Sequence, residues 1–449
     1  MSWRLVRPYL RCLYYSFFPH KRPEYFKAAW RNPFLKVGKD RLPELNCPEE
    51  QEVFFFLPMV DWHSRMQRSQ HLAEALAQMG HVCVYVNPHL GLEYLTPAPF
   101  SHEPRLSLLD ERIFELHVHL PAERAFDAGM PTSGEVQRIV DACSQVVQEL
   151  GIRKAWQIVS APAWLEVALQ MRERFRFPFV YDCHDYLPGF HRLAHEIVDW
   201  ESPALAQCDL AMFSSRHLME LHAVLSPDLA PKTILVRNAN RPADFIPRKR
   251  RVPADSGRPT AGYIGSLDHW FDVELMEGVI ERQPGYDFVF AGRVEDAKVL
   301  RLKRYSNVKL LGEIAYRDVP LLLSRCDVGI IPFEKVPLTL STNPVKLYEY
   351  FAAALPVVST GLPEVEQFGN LVYIADSPAD FSRQLSEAVG EWDHSLREER
   401  LMTAMRENWS RRADVLLDGL QWLRRPTEEA VQSTPPRAQI VSSAGTRPC

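Results

Sequence analysis

From Val53 onward, apolar residues fall in short runs separated by longer stretches with helical spacing. The first run, VFFFLP at positions 53–58, is followed by a polar loop and then by QRSQHLAEALAQMG. In that second segment Leu72, Ala75, Leu76 and Met79 share one face, and Gly80 stands where a helix would stop. Further strands are expected at 81–87, 113–120, 156–160, 179–182, 209–214 and 233–237, with helices around 135–150, 163–174 and 215–224. Strands alternating with helices in this way predict repeated βαβ units and a mainly parallel sheet.

The pattern lapses between 238 and 259, where Pro and Arg dominate and no apolar face recurs, as in an interdomain linker. A second series opens with AGYIGS at 261–266, runs through 286–292, 307–312 and 326–333, and ends with PVVST and LVYIA. The helical region 395–424 carries Trp409, Leu416, Leu417, Leu420 and Trp422 and is long enough to return to the first half. The expected fold class is α/β, with two Rossmann-like doubly wound domains facing across a cleft and a C-terminal helix crossing back to the first. The expected divisions are a basic N-terminal extension (1–50), a first domain (51–240), a linker (241–258), a second domain (259–394), crossing helices (395–424) and a disordered polar tail (425–449).

A chain of 449 residues exceeds what one core usually organises, in keeping with two lobes. Net charge of −5 gives no general reason to expect nucleic acid, and the basic run 248–251 reads as a solvated cluster in the linker. Eight scattered cysteines, without a C-x-x-C pair or a zinc-spaced His cluster, fit reduced thiols in a cytoplasm. Residues 1–35 differ from the rest: Arg4, Arg7, Arg11, Lys21, Arg22, Lys27 and Arg31 face one acid, Glu24, and are interleaved with Trp3, Leu5, Leu10, Phe17 and Phe18. This segment either packs on the protein's own surface or contacts a membrane surface, and its apolar runs are too short to span a bilayer. The expected location is cytoplasmic, with peripheral contact at the inner face of the membrane carried by these residues.

The richest chemistry lies in STNPVKLYEYFAAALPVVSTGLP, residues 341–363. Thr342 or Asn343 can cap a helix, Pro344 suits its first position, and Pro356 follows its end. The free N–H groups and positive dipole end of such a start favour a diphosphate, and Lys346 adds a full charge there. Glu349, on the same face and about 7 Å along the axis from Pro344, is placed to accept from ribose hydroxyls. A plain Lys–Glu surface pair is the alternative.

This run resembles the donor-binding helix and following strand of GT-B fold glycosyltransferases, close to glycosyltransferase family 4. AGYIGSLDHWFDVELM and NVKLLGEIAYRDVPLLLSRCDVGIIPF resemble the strands and loops leading to it. DWHSRMQRSQHLAEALAQMGHVCVYVNP is similar to the acceptor domain's first βαβ unit, VRNAN to its closing turn, and ENWSRRADVLLDGL to the last helix. The resemblance implies transfer of a sugar, hexosyl in type and with retention, from a nucleoside-diphosphate sugar to a hydroxyl of a glycan or lipid-linked acceptor. No cofactor is required on this view, and no Asp-x-Asp triplet asks for a metal.

It also implies roles. Glu349 would hold the donor ribose, while Gly265, Ser266, Arg293, Asn343 and Lys346 would surround the donor diphosphate. His184 and Asp185, in YDCHDYLPGF, match the strand-end position beside the transferred sugar, where a histidine orients a hydroxyl or exchanges a proton; a hydrogen-bonded structural histidine is the other reading. Trp62, Arg65 and Arg68 follow the first strand on the acceptor side, where ordinary surface placement is the alternative. Two positions depart from the family. Eight residues before Glu349, where many members carry a first glutamate, stands Ser341, which leaves the stereochemical outcome open. His269, Trp270 and Phe271 fill the loop where a lysine is frequent. A GT-B nucleotide-sugar epimerase and a non-catalytic nucleotide-sugar binding protein are the rival expectations.

Overall fold

Runs such as VFFFL and VCVYV carry no polar alternation because helices cover both faces of the strands they form. In the computed structural model, residues 34–36, 52–63, 65–88, 104–118, 120, 129–245, 257–391 and 393–424 are described. Apart from 34–36, the N-terminal extension lies outside the described residues, as do the basic run 248–251 and the tail 425–449.

The first lobe contains β1 (Phe34–Lys36), β2 (Val53–Leu57), β3 (Val82–Val86), β4 (Arg105–Asp110), β5 (Ile113–His117), β6 (Ala155–Val159), β7 (Phe179–Cys183), β8 (Leu210–Phe213) and β9 (Thr233–Leu235). They pair in the order β1-β4-β5-β3-β2-β6-β7-β8-β9. β4 is antiparallel to both neighbours, and every other pairing is parallel. β1 and β4 are the strands absent from the sequence expectation. β4 reads RLSLLD and exposes part of its second half, so an edge strand of mixed polarity leaves no long apolar run.

The second lobe contains β10 (Thr260–Ile264), β11 (Asp287–Ala291), β12 (Val308–Gly312), β13 (Val328–Ile331), β14 (Val357–Ser359) and β15 (Val372–Ile374), all parallel in the order β12-β11-β10-β13-β14-β15. The winding reverses between β10 and β13 here, and between β2 and β6 in the first lobe. Loops part on either side of such a reversal and leave a crevice beyond the strand ends.

The helix after β2, α1 (Arg68–Gln78), buries Leu72, Ala73, Ala75 and Leu76. Met79, expected on that face, is instead the exposed C-cap, followed by Gly80 at φ +95°. The C-terminal helical region is two helices, α2 (His394–Arg406) and α3 (Trp409–Leu423). Asn408 divides them by capping α3, its side chain accepting from the Arg411 N–H at 2.9 Å. The break turns α3 onto the first lobe, where Trp409, Ala413, Leu416 and Leu420 join Leu72, Leu76, Ile234 and Val236 in one core cluster. A second cluster covers the other face of the first sheet, and a third fills the second lobe.

Buried hydrogen bonds tie the lobes together. The Ser215 hydroxyl donates to the Ser341 carbonyl (2.6 Å), and the Asn238 N–H donates to Asn343 Oδ1 (2.9 Å). Glu364 accepts from the Arg216 N–H (2.8 Å) and from Arg237 Nε (2.6 Å).

Candidate functional site

The helix of the 341–363 motif, α4, runs Val345–Ala352. Its place is set by a close approach: a Cβ on Gly329 of β13 would lie 2.4 Å from the Tyr350 ring, so only glycine lets that ring rest on the strand. The Tyr350 hydroxyl then accepts from the Ile264 N–H at 3.1 Å, which fixes α4 against the end of β10. One turn earlier, Lys346 reaches the next residue: its Cε and Nζ lie 3.0 Å from where a Cβ on Gly265 would stand. Gly265 (φ +139°) and Gly292 (φ +155°) abut, and a Cβ on Gly292 would meet the Gly265 carbonyl oxygen at 1.8 Å. The loops that follow the neighbouring strands β10 and β11 therefore close into one floor beneath Lys346.

Lys346 Nζ sits 4.6 Å from the centre of the Tyr263 ring and 4.3 Å from that of Phe333. Burial among these rings pushes its pKa down to about 7, against the opposing pull of Glu349. Glu349 is 6% exposed, and its burial raises the carboxyl to about 7 although Lys346 and Tyr316 favour the charged form. The Tyr316 hydroxyl is buried and faces the Glu349 carboxyl, and Arg241 lies over its ring at 5.3 Å. An acid and a base stand one helical turn apart, each where its charge is costly and a ligand of opposite or hydrogen-bonding character would restore it.

The N-cap of α4 is Pro344, with no side-chain cap, so the capping expected of Thr342 or Asn343 does not occur. Asn343 is spent at the lobe junction: it accepts from Asn238 N–H and donates from Nδ2 to Tyr348 Oη (3.0 Å) and Glu364 Oε2 (2.9 Å). Ser341 is fully buried, and its hydroxyl pairs with His217 Nδ1 at 3.0 Å.

Arg65, expected on the acceptor side, reaches across to the Ser266 loop of the second lobe. Its Nη1 donates to Ser266 Oγ (3.1 Å) and its Nε to Glu313 (2.7 Å), while Nη2 lies 3.5 Å from Glu295. Glu295 also holds Arg293 (2.8 Å) and Arg192 (2.5 Å), so three guanidinium groups from both lobes converge on one carboxylate beside the Ser266 loop. Arg293 is thus joined to the site through Glu295, with its side chain largely exposed. The loop that lacks the expected lysine is an interlobe contact: His269 stacks on His191 at 3.9 Å, and its Nε2 lies 3.0 Å from the Gly189 carbonyl oxygen.

The first-lobe group stands at the end of β7. His184 Nδ1 lies 2.9 Å from the Asp182 carbonyl oxygen, which can only accept, so this nitrogen carries a proton and Nε2 is the ring nitrogen turned away from that bond. That Nε2 is 3.8 Å from Asp185, whose carboxyl burial pushes up. Arg68, at the first turn of α1, is buried; its Nε donates to both Asp182 oxygens (2.9 and 3.0 Å) and its Nη1 to Asn238 Oδ1 (3.1 Å). Its Nη2 has no partner among the described residues. A buried polar chain therefore runs from Asp182 through Arg68, Asn238 and Asn343 to Tyr348, the neighbour of Glu349. Trp62 is set apart, packed edge-on against Tyr85 at 5.0 Å on the first lobe's own core. Tyr263, Phe333 and Tyr316, which shape the surroundings of Lys346 and Glu349, were not foreseen; apolar rings in strand ends and loops carry no sequence mark distinguishing a site wall from core.

Residues 258–391 match the model of a family described as "Glycosyl transferases group 1". The putative teichuronic acid biosynthesis glycosyltransferase TuaH of Bacillus subtilis (strain 168) is 27% identical over 157 residues, which is 33% of this chain and 40% of that protein. Among solved structures, the sucrose-phosphate synthase of Thermosynechococcus elongatus superposes with a TM-score of 0.64 at 16% identity, covering 83% of this chain and 99% of the other. Anabaena Alr3699/HepE, solved with UDP and glucose, gives a TM-score of 0.55 at 13% identity over 83% of this chain and 100% of the other. At such identities the superpositions speak for the fold. The match to the group 1 glycosyltransferase model lies within the second lobe, and the molecule has the two-lobed GT-B fold of the solved structures.

Proposed function

We propose that the protein is a glycosyltransferase that moves a hexosyl unit, with retention of configuration, from a nucleoside-diphosphate sugar to a hydroxyl of a glycan or lipid-linked glycan. The observation that carries this reading is the pair Lys346 and Glu349 on α4 over the Gly265–Ser266 loop, within the family-matched residues. The donor ribose hydroxyls donate to the Glu349 carboxylate. The diphosphate lies against the Gly265–Ser266 loop and the free N–H groups at the start of α4. Its negative charge draws a proton onto Lys346 and takes Arg65, and with it Arg293, from their carboxylate partners.

In the transfer, the bond from the anomeric carbon to the diphosphate oxygen breaks, its electron pair leaving with the diphosphate, and the acceptor oxygen bonds to that carbon. The hydroxyl proton departs to the leaving group or, through His184, to solvent. Charge developing on the leaving group is met by groups already in place, which makes electrostatic stabilisation the main catalytic contribution. The reading calls on no cofactor for this step. His184 and Asp185 orient the transferred sugar and the acceptor hydroxyl, with Arg68 holding the strand end beneath them.

The Bacillus relative's assignment to teichuronic acid biosynthesis supports a cell-surface polysaccharide as the product class. No helix among the described residues is long and apolar enough to cross a membrane, and residues 1–35 supply the proposed peripheral contact from the cytoplasmic side. Liposome sedimentation of the full chain against one starting near Leu45 tests this; equal sedimentation overturns it. The central test is a thermal-shift and calorimetric screen of nucleoside diphosphates and their sugars. One base should stabilise the protein, and Glu349→Ala should abolish the effect. Product formation from the matching labelled sugar, with the anomeric configuration read by NMR, then tests transfer and retention. Isomerised sugar in the absence of acceptor would refute the transferase.

A further inference from the structure

Behind the His184 strand end, three potential metal donors meet that lie far apart in sequence. Cys183 is the last residue of β7, Glu201 begins the helix Glu201–Gln207, and His222 lies in the helix Arg216–Leu225 that follows β8. All three are buried, and their donor atoms lie within 4.8 Å of one another. Cys183 Sγ is 3.5 Å from Glu201 Oε1, and His222 Nε2 is 3.9 Å from Glu201 Oε2. The second distance is too long for a hydrogen bond, and His222 Nε2 has no partner among the described residues although its side chain is 8% exposed. A purely hydrogen-bonded cluster leaves that nitrogen orphaned.

The geometry points to a site, structural in role, for a divalent cation of the zinc class, ligated by Cys183 Sγ, a Glu201 carboxylate oxygen and His222 Nε2, with a water molecule as the fourth ligand. In a tetrahedral shell with zinc–sulfur and zinc–nitrogen or –oxygen distances of about 2.3 and 2.0–2.1 Å, neighbouring donors stand about 3.3–3.6 Å apart. The spacing found here approaches that without rearrangement of the backbone. Mixed thiolate, imidazole and carboxylate donors favour zinc over magnesium or calcium, whose sites are built from oxygen. Binding displaces the Cys183 thiol proton to solvent, and the dication offsets the cost of burying the thiolate and carboxylate. The Tyr181 hydroxyl, 3.3 Å from Glu201 Oε1, orients the carboxylate from outside the ligand set. The ion would join β7 to the two helices flanking β8 and hold the strand end from which His184 and Asp185 project; it takes no part in the transfer.

The test uses the full chain isolated from zinc- and from cobalt-supplemented cultures under reducing conditions. Elemental analysis should find about one metal per chain. The cobalt form should show a thiolate-to-cobalt absorption band in the near ultraviolet, together with intense visible bands of a four-coordinate ion. Cys183→Ser should abolish the near-ultraviolet band, His222→Gln should lower metal content severalfold, and Cys326→Ser, in the other lobe, should change neither. The inference is overturned if the unmodified protein carries no metal above the buffer background, or if the thiolate band survives in Cys183→Ser. The first result is read on the native chain, so poor folding of a variant cannot mask it.

Discussion

Lys346 and Glu349 each bear a charge in water that their surroundings oppose, and this gives the proposed donor site a pH signature. Both have pKa values near 7 in the free protein. For Glu349, raised from 4.5, the folded state holds more protons than the unfolded one between pH 4.5 and about 7, so its contribution to stability falls as pH rises through that window. For Lys346, lowered from 10.5, the folded state holds fewer protons between about 7 and 10.5, so stability rises with pH there. A shallow minimum near neutrality is expected in the free protein, and Lys346→Met should remove its alkaline arm in pH-dependent denaturation curves. At pH 8 a diphosphate should bind with uptake of nearly one proton, as it recharges Lys346. Calorimetry in buffers of different ionisation enthalpy reads this directly, and the uptake should vanish in Lys346→Met. Glu349→Gln replaces a charge-assisted acceptor and should weaken nucleotide binding by ~1.5–3 kcal/mol, about ten- to a hundredfold. His184→Ala should lower kcat while leaving nucleotide affinity within about threefold, because its contacts are with the first lobe.

At the scale of elements, the surroundings of Lys346 depend on glycines that admit close contact rather than on flexibility. Gly292→Ala would drive a Cβ into the Gly265 carbonyl and demand φ +155° of a residue that avoids it. A loss of ~2 kcal/mol or more in denaturant unfolding is expected, together with weaker nucleotide binding as the floor under Lys346 shifts. The motif helix was legible because its start, length and stop are local: Pro344 before it, apolar Leu347, Tyr350 and Phe351 inward, Pro356 after it. Asn343 was misplaced because a side chain that can cap a helix can equally hydrogen-bond across an interface, and only the position of Asn238 chose between them. Arg65 was assigned to the correct lobe, yet the residue it meets is Ser266, 201 positions away.

The molecule as a whole is held in its two-lobed form by a polar seam centred on Glu364, which is 2% exposed and accepts from Arg237, Arg216 N–H and Asn343. Glu364→Ala would leave the Arg237 guanidinium without its carboxylate, at a cost of ~3–5 kcal/mol. Unfolding should then separate into two transitions by calorimetry, and the radius of gyration from X-ray scattering should increase as the lobes part. A single transition with unchanged scattering would show that the α3 contacts alone unite them. Separately, the three arginines around Glu295 link the two lobes beside the Ser266 loop, so nucleotide affinity should fall with added salt more steeply in the native chain than in Arg65→Ala.

The sequence by itself determined the α/β class, the succession of parallel strands, the two lobes and the helix that carries Lys346 and Glu349, since these follow from hydrophobic spacing and from end signals within a few residues of one another. Only the tertiary structure decided what those residues face. The rings around Lys346, the partner of Ser341, the convergence on Glu295 and the meeting of Cys183 with Glu201 and His222 all join segments whose spacing carries no local mark. Strand order and the lobe junction set such encounters, and both are fixed by packing of the whole chain.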